Sequence, residues 1–373
     1  MTLRTAVVGG GNVSRIHLSG LSQNPRTELV GICDIDRERA RTLAEEYDTD
    51  AYFDVEELVA TADLDWMHVC TPVQTHLDVA KTAIEAGVPV QIEKPTTETY
   101  EEFEELAATA DRHGVTVSAK HNRDFDPAVR AAQAKVEAGE LGELKGVDVV
   151  YMGSSLADDP NRGDWNFDLS GGEFEEGIPH PLYLGLRVGG YPESEAAVQA
   201  STSLFGTYDK PFDYDAMQVQ YRSEDGVLCS TRVIGGTVPN RLILLHGDEC
   251  SLTVDLISQT LVKHDRKYKS SVVNRALNNV DRIVDRTLGT VRNVRGVIQR
   301  SRDDSWDAER RANGHYYQND AESRALESGG EMPVPLAEAR WTIFLMEEIR
   351  NAARSDGSPD VESVEPAVAT DGE

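Results

Sequence analysis

The feature that most constrains this chain is a regular alternation of short apolar runs and helical patterns across its first 122 residues, opening at a glycine run. The segment 3–8 is apolar and ends on Gly9, Gly10 and Gly11; a pattern with Val13, Ile16, Leu18 and Leu21 on one side follows at once. This reads as strand, tight turn and helix. The order has a physical cause: a first glycine permits the turn, and a second lets a pyrophosphate approach the backbone at the positive end of the helix dipole. Ser14 takes the place of a third glycine and is small enough to keep helix and strand close. Further strands are expected over 28–33, 66–70, 88–92 and 115–119, with helices over 75–86 and 100–113. Repeats of these lengths predict an α/β Rossmann domain, a doubly wound parallel sheet closing near residue 122.

The tip of the second strand is Asp34, and an acid there can accept hydrogen bonds from the adenosine ribose hydroxyls, which points to NAD. Arg37 lies close enough in sequence to hold a 2′-phosphate, so NADP stays open, as does a plain turn or cap role for Asp34.

With 373 residues there is room for two domains. No apolar stretch approaches a membrane span and no signal-peptide pattern follows Met1, so a cytoplasmic protein is expected. Cys33, Cys70, Cys229 and Cys250 are far apart and form no CxxC pair, which suggests neither a disulfide framework nor a metal site. A net charge of −28 argues against nucleic acid as a partner. Strong acidity with only 9 lysines against 28 arginines suits a halophilic protein, an acidic mesophile being the alternative.

Beyond residue 122 the pattern changes. A helix over 127–138 is followed by alternating runs at 145–151, 196–204, 216–221, 228–234, 242–246 and 251–254, so residues 123–354 should form an α+β domain with an open, mainly antiparallel sheet. The helix at 336–354 should dock on it, and the acidic stretch 355–373 reads as a disordered tail.

Four motifs in order then resemble the glucose-fructose oxidoreductase and inositol dehydrogenase family, Gfo/Idh/MocA: Gly9 to Ser14 with His17, Thr71-Pro72 with His76, Glu93-Lys94-Pro95, and Asn122 with Phe125 and Pro127. The resemblance implies an NAD(P)-dependent oxidoreductase acting on a sugar, cyclitol or sugar derivative, and a homo-oligomer built through the second sheet. By the same resemblance Gly9, Gly11, Asn12, Val13, Thr71, Pro72, His76, Glu93, Lys94 and Asn122 serve the cofactor. Lys94 would contact both the substrate hydroxyl and the nicotinamide ribose.

The segment from Trp165 to His180 resembles the family's substrate motif, in which a glycine pair precedes a helix carrying an acid and, four residues on, a histidine. That spacing puts Glu176 and His180 on one helical face. Alcohol oxidation needs a base for the hydroxyl proton as hydride leaves the same carbon, and an imidazole beside a carboxylate fits. His180 is therefore expected as base, Glu176 as its orienting partner and Lys94 as stabiliser of the alkoxide, with Trp165 and Tyr183 at the substrate. Glu173 and Glu175 compete with Glu176, and Tyr183 stands where the family often has a second aspartate. Two other readings are an NAD-dependent glycosidase using transient oxidation and a non-catalytic dinucleotide-binding protein.

One segment has no counterpart in that pattern. Residues 263–302 carry 11 Lys or Arg and 3 Asp or Glu. Val273, Leu277, Val280, Val284, Leu288, Val291 and Ile298 share one face of an amphipathic helix with arginines opposite, interruptions being expected at Gly289 and Gly296. It could lie on an anionic membrane, cover the substrate cleft, or pack against the protein body or a second subunit. In molar salt the Debye length falls to about 3 Å, which favours packing.

Overall fold

The structure, a computed structural model, describes residues 2–161, 163–265, 272–300, 306–308 and 313–356. The first half runs β1 (Leu3–Val8), α1 (Ser14–Gln23), β2 (Thr27–Cys33), α2 (Arg37–Tyr47), β3 (Asp50–Tyr52), α3 (Val55–Thr61), β4 (Trp66–Val69), α4 (His76–Glu85), β5 (Val90–Ile92), α5 (Tyr100–His113) and β6 (Val117–Ala119). All six strands are parallel, in the order β3-β2-β1-β4-β5-β6. The strand order reverses between β1 and β4, and a crevice opens beyond the carboxyl ends at such a point. Ala6, Ile32, Met67, Val90 and Ile92 are fully buried, as strands covered on both faces require.

The second half continues with α6 (Pro127–Glu137), β7 (Leu144–Met152), α7 (Gly172–Gly177), α8 (Pro179–Gly189), β8 (Gln199–Ser203), β9 (Ala216–Arg222), β10 (Leu228–Ile234), β11 (Asn240–Gly247), β12 (Cys250–Asp255), β13 (Thr260–Asp265), α9 (Val272–Arg300), α10 (Gly314–Ser328) and α11 (Leu336–Asp356). Its sheet has the order β13-β12-β11-β7-β10-β9-β8, antiparallel except where β7 meets β10. Helix α8 lies close on β7 because Gly185 and Gly189 face Val149 and Val147. The four cysteines are free and buried.

The chain passes between the sheets at the 3-10 turn Asn122–Phe125, where the domain boundary was expected, but it does not stay with the second sheet. Helix α10 packs on α1 and on that turn, with Gly314 against the Asn122 carbonyl and Gly20 against Asn319. Val334 then accepts a hydrogen bond from Ala119 N at 3.2 Å, and α11 packs on both α5 and α8.

Two expectations for the basic segment need correction. Helix α9 is one unbroken run of 29 residues through Gly289 and Gly296. Among the described residues its apolar face is left uncovered: Leu277, Val280, Ile283, Val284, Leu288, Val291, Val294 and Ile298 are all exposed. What touches β13 is the other side, where Gly289 meets Thr260 and Asn293 Nδ2 donates to the carbonyls of Ser258 (2.9 Å) and Gln259 (3.1 Å). Among the described residues no helix is long and apolar enough to cross a membrane. The tail from residue 357 lies outside the described residues, as do 266–271 and 301–302 of the basic segment.

Candidate active site

The glycine turn joins β1 to α1 at the switch point. Gly9 has φ 97°, and a Cβ there would lie 2.6 Å from the Cys70 carbonyl oxygen, so β4 leaves room for no side chain. At Gly11 a Cβ would meet nothing within 4 Å; it would instead enter the open space before α1, where a pyrophosphate needs to reach the backbone. Asn12 is exposed and Val13 half-buried beside it.

Asp34 is buried at the tip of β2. Its Oδ2 accepts from Gly10 N at 2.6 Å and its Oδ1 from Asp36 N at 2.8 Å, which ties the acid to the glycine turn. The arginine beside it is Arg39, at 3.2 Å. Arg37, the residue expected there, lies instead with its guanidinium 4.6 Å above the Phe53 ring.

His76 opens α4 and is fully buried, its Nε2 2.8 Å from the Thr71 carbonyl and its Nδ1 3.0 Å from that of Pro95. It thereby holds the Thr71-Pro72 turn to the end of β5. Gln74 Nε2 reaches the Trp165 carbonyl oxygen at 3.4 Å, bringing the Trp165 segment to the same turn.

Lys94 follows the carboxyl end of β5. Its Nζ donates to the Glu176 carbonyl oxygen at 3.0 Å and is ion-paired with Glu176 Oε1, both side chains being buried. The competing acids have other partners. Glu173 is held by Asn166, while Glu175 accepts from Arg350 Nε (2.8 Å), Tyr214 Oη (2.8 Å) and Gly171 N (2.8 Å). Thus of the three acids the structure brings Glu176 to Lys94, although the expectation tied it to His180.

The helix expected to carry Glu176 and His180 is two helices, α7 and α8, joined at Ile178, because Pro179 has no N–H to continue the ladder. His180 Nδ1 lies 2.7 Å from Tyr183 Oη. Tyr183, expected at the substrate, is only 1% exposed and stacks on His121. Its hydroxyl accepts from Arg123 N (3.2 Å) and donates to Asn122 Oδ1 (3.3 Å). The one Tyr183 proton is shared between Asn122 Oδ1 and His180 Nδ1: when it goes to Asn122, His180 Nδ1 carries a proton and Nε2 is the basic nitrogen. Asn122 follows β6 and Lys94 follows the neighbouring β5, so both groups emerge at one sheet edge.

Behind Lys94 is a buried polar layer that sequence reasoning did not find. His17 Nε2 lies 2.7 Å from Glu93 Oε1, and His17 Nδ1 is 2.8 Å from His68 Nδ1. The ligand-capable atoms of His17, Glu93 and His315 all fall within 4.8 Å of one another. Burial opposes charge on Glu93, but its His17 hydrogen bond and the neighbouring His17, His315 and Lys94 outweigh this and hold the carboxyl well below its usual range. Burial also lowers His17, so the pair is a neutral imidazole donating to a carboxylate. Lys120, fully buried, donates to Asn319 and is lowered by burial. His17 and Glu93 stood in quoted motifs; Lys120 and His315 gave no signal. A cavity of about 420 Å³ between β11–β13 and Asp281-Arg282 of α9 is lined by none of these residues.

Residues 3–121 match the model of an oxidoreductase family with an NAD-binding Rossmann fold, Gfo/Idh/MocA. That match covers the parallel-sheet half of the chain, β1 to β6. The chain is 26% identical over 229 residues to the uncharacterized oxidoreductase YrbE of Bacillus subtilis (strain 168), covering 60% of this chain and 64% of that one. It is 24% identical over 227 residues to inositol 2-dehydrogenase of Rhizobium meliloti (strain 1021), covering 61% and 67%. The chain thus spans about two thirds of the length of these relatives. In fold it is similar to the WlbA dehydrogenase of Bordetella pertussis, solved with NADH and UDP-GlcNAcA, with a TM-score of 0.72 and 19% identity over 96% of this chain and 98% of that one.

Proposed function

We propose that this protein is an NAD-dependent dehydrogenase that moves hydride between the nicotinamide and a hydroxyl-bearing carbon of a sugar, cyclitol or sugar derivative. The observation that carries the reading is Lys94: a buried side chain at the carboxyl edge of β5, paired with Glu176 from the second half of the chain, at the edge where Asn122 and Tyr183 hold His180. The open cradle at Gly11 and the acid at Asp34 fit a dinucleotide with a free ribose 2′-hydroxyl, which favours NAD over NADP.

NAD, when bound, supplies the hydride acceptor. His180 Nε2 takes the hydroxyl proton as the carbon loses hydride and the alcohol becomes a carbonyl. Lys94 donates a hydrogen bond to the oxygen as negative charge grows on it, and Glu176 holds Lys94 in place. The similarity to an inositol 2-dehydrogenase and to a dehydrogenase solved with UDP-GlcNAcA supports this substrate class. The same reading makes the protein cytoplasmic, suited by its acidity to concentrated salt, and paired with a second copy through the open face of the second sheet.

The test is a screen of aldoses, inositols and nucleotide sugars for NADH formation, with NADP in parallel and Lys94→Met as control. Net NADH that disappears in Lys94→Met supports the dehydrogenase. Sugar cleavage without net NADH would make it a glycosidase. Wild-type NADH formation by Lys94→Met would overturn the site.

A further inference from the structure

We infer that the substrate carries an anionic group, a carboxylate or a phosphate, and that Arg123, Arg241 and the Tyr151 hydroxyl hold it beside His180. The inference names the substrate of the proposed dehydrogenase site and rests on that reading. Tyr151 is next to last in β7, and Arg241 stands directly opposite it on β11. Opposed residues share a face, so both lie on the buried side of the sheet with Val147, Val149, Ile243 and Leu245. Helix α8 runs over that side: Gly189 meets Val147, and Gly185, one turn earlier, meets Val149. One more turn back is about 6 Å of helix, or about two strand residues, and brings Pro181 level with Tyr151 and His180 next to it. From the 3-10 turn, Arg123 N and His180 Nδ1 meet on the same Tyr183 hydroxyl, at 3.2 and 2.7 Å. Both arginines therefore flank the proposed base.

Charge points to the ligand. The chain has 65 acidic against 37 basic residues, yet among the described residues no carboxylate pairs with Arg241, whose Nε is buried without a hydrogen-bond partner. Its guanidinium carbon lies 4.4 Å above the Tyr151 ring centre, a stacking that leaves the in-plane donors open. Arg123 is committed on one side only: an Nη reaches Asp126 at 3.5 Å, while its Nε is also buried without a partner. Burial opposes its charge, but Tyr151, Tyr183 and Asp126 outweigh this and keep the guanidinium charged. A buried donor left unpaired is costly, and the Nε edge of a guanidinium is half of the fork that grips two oxygens of one carboxylate or phosphate. Tyr151, itself buried, adds a hydroxyl donor. A neutral sugar would leave both positive charges without a counter-ion, and Lys94, the other cation of the site, is already matched by Glu176.

The charge preference is read from NADH formation by the full-length protein with myo-inositol and D-glucose, with D-glucuronate and D-gluconate, and with glucose 1-phosphate and glucose 6-phosphate. Calorimetric titration of the same compounds into the protein with NADH reads binding without turnover. An anionic sugar is expected to show a kcat/KM about tenfold or more above its neutral counterpart, and the better of the carboxylate and phosphate arms identifies the group. Arg241→Gln should raise KM for that substrate about tenfold or more with kcat changed little, and Arg241→Lys should recover part of the loss; an unchanged melting curve verifies the fold. The subsite is overturned, with the dehydrogenase reading intact, if neutral sugars are oxidised as well as charged ones or if Arg241→Gln leaves the charge preference unchanged. If no compound yields NADH, binding decides. Anionic sugars held by the wild type and released by Arg241→Gln support the subsite while the dehydrogenase reading falls; no binding of any anionic sugar overturns the subsite.

Discussion

Tyr183 and Glu176 show how single atoms decide roles that spacing alone left open. The Tyr183 hydroxyl accepts from Arg123 N and lies between His180 Nδ1 and Asn122 Oδ1, so Tyr183→Phe removes the hydroxyl that holds the imidazole in place. We expect kcat to fall by about ten- to a hundredfold with KM changed little; a loss confined to KM would assign Tyr183 to substrate contact instead. Glu176→Gln leaves a buried ammonium without its counter-charge and should abolish most turnover, whereas Glu175→Gln breaks the Arg350 pair, lowering the melting temperature and leaving kcat largely intact. Measuring both kcat and Tm for the two variants separates these effects. Three acids within four residues were visible in the sequence, but their partners were not: Lys94 comes from 82 positions away and Arg350 from 175. Tyr183, three residues past His180, was legible as a departure from the family's aspartate, though its buried orientation depended on His121 stacking against it.

At the scale of the elements, the β1 turn makes a prediction with two sides. Gly9→Ala forces a side chain into φ 97° and against the Cys70 carbonyl, and should cost on the order of 2 kcal/mol or more of stability. The Cβ of Gly11→Ala meets no protein atom within 4 Å, so its melting temperature should hold while NADH binding, read by fluorescence, is weakened. Equal melting curves for the two variants would contradict this division. The long alternating elements of the first half were legible because both faces of a parallel sheet demand apolar runs. Strand β3, with three residues of which none is buried, carries no such run. Helix α10 escaped for a different reason: it buries Gln318, Asn319, Glu322 and Ser323, so its inward side looks polar and matches no apolar period. Helix α9 gave a strong period, yet a period cannot say whether its apolar face turns inward.

Over the whole molecule, four buried histidines and the half-buried His315 dominate the response to acid. His17, His68, His76, His121 and His315 are all lowered by burial, His121 to about 3. Below the unfolded value of about 6.5 the unfolded chain binds protons that the folded chain refuses, so each such site loses about 1.4 kcal/mol of stability per pH unit as pH falls toward its folded value. Glu98, Asp124, Asp126 and Glu322 act oppositely: burial raises all four, Asp126 to about 6 and Glu322 to about 7, so they favour the folded state as pH falls. The five histidines refuse protons throughout the interval below about 6.5, and the melting temperature should fall between pH 7 and pH 5; a rise would show that the carboxyls control the balance. Most of the histidine layer is closed by α10, whose Ser323 bonds Asn24 across 299 positions of chain and whose Asn319 takes Lys120. A chain leaving the ribosome therefore exposes the underside of its nucleotide fold until residues near 320 emerge, so the half synthesised first is the half completed last, and cofactor loading becomes a late event in the life of each new molecule.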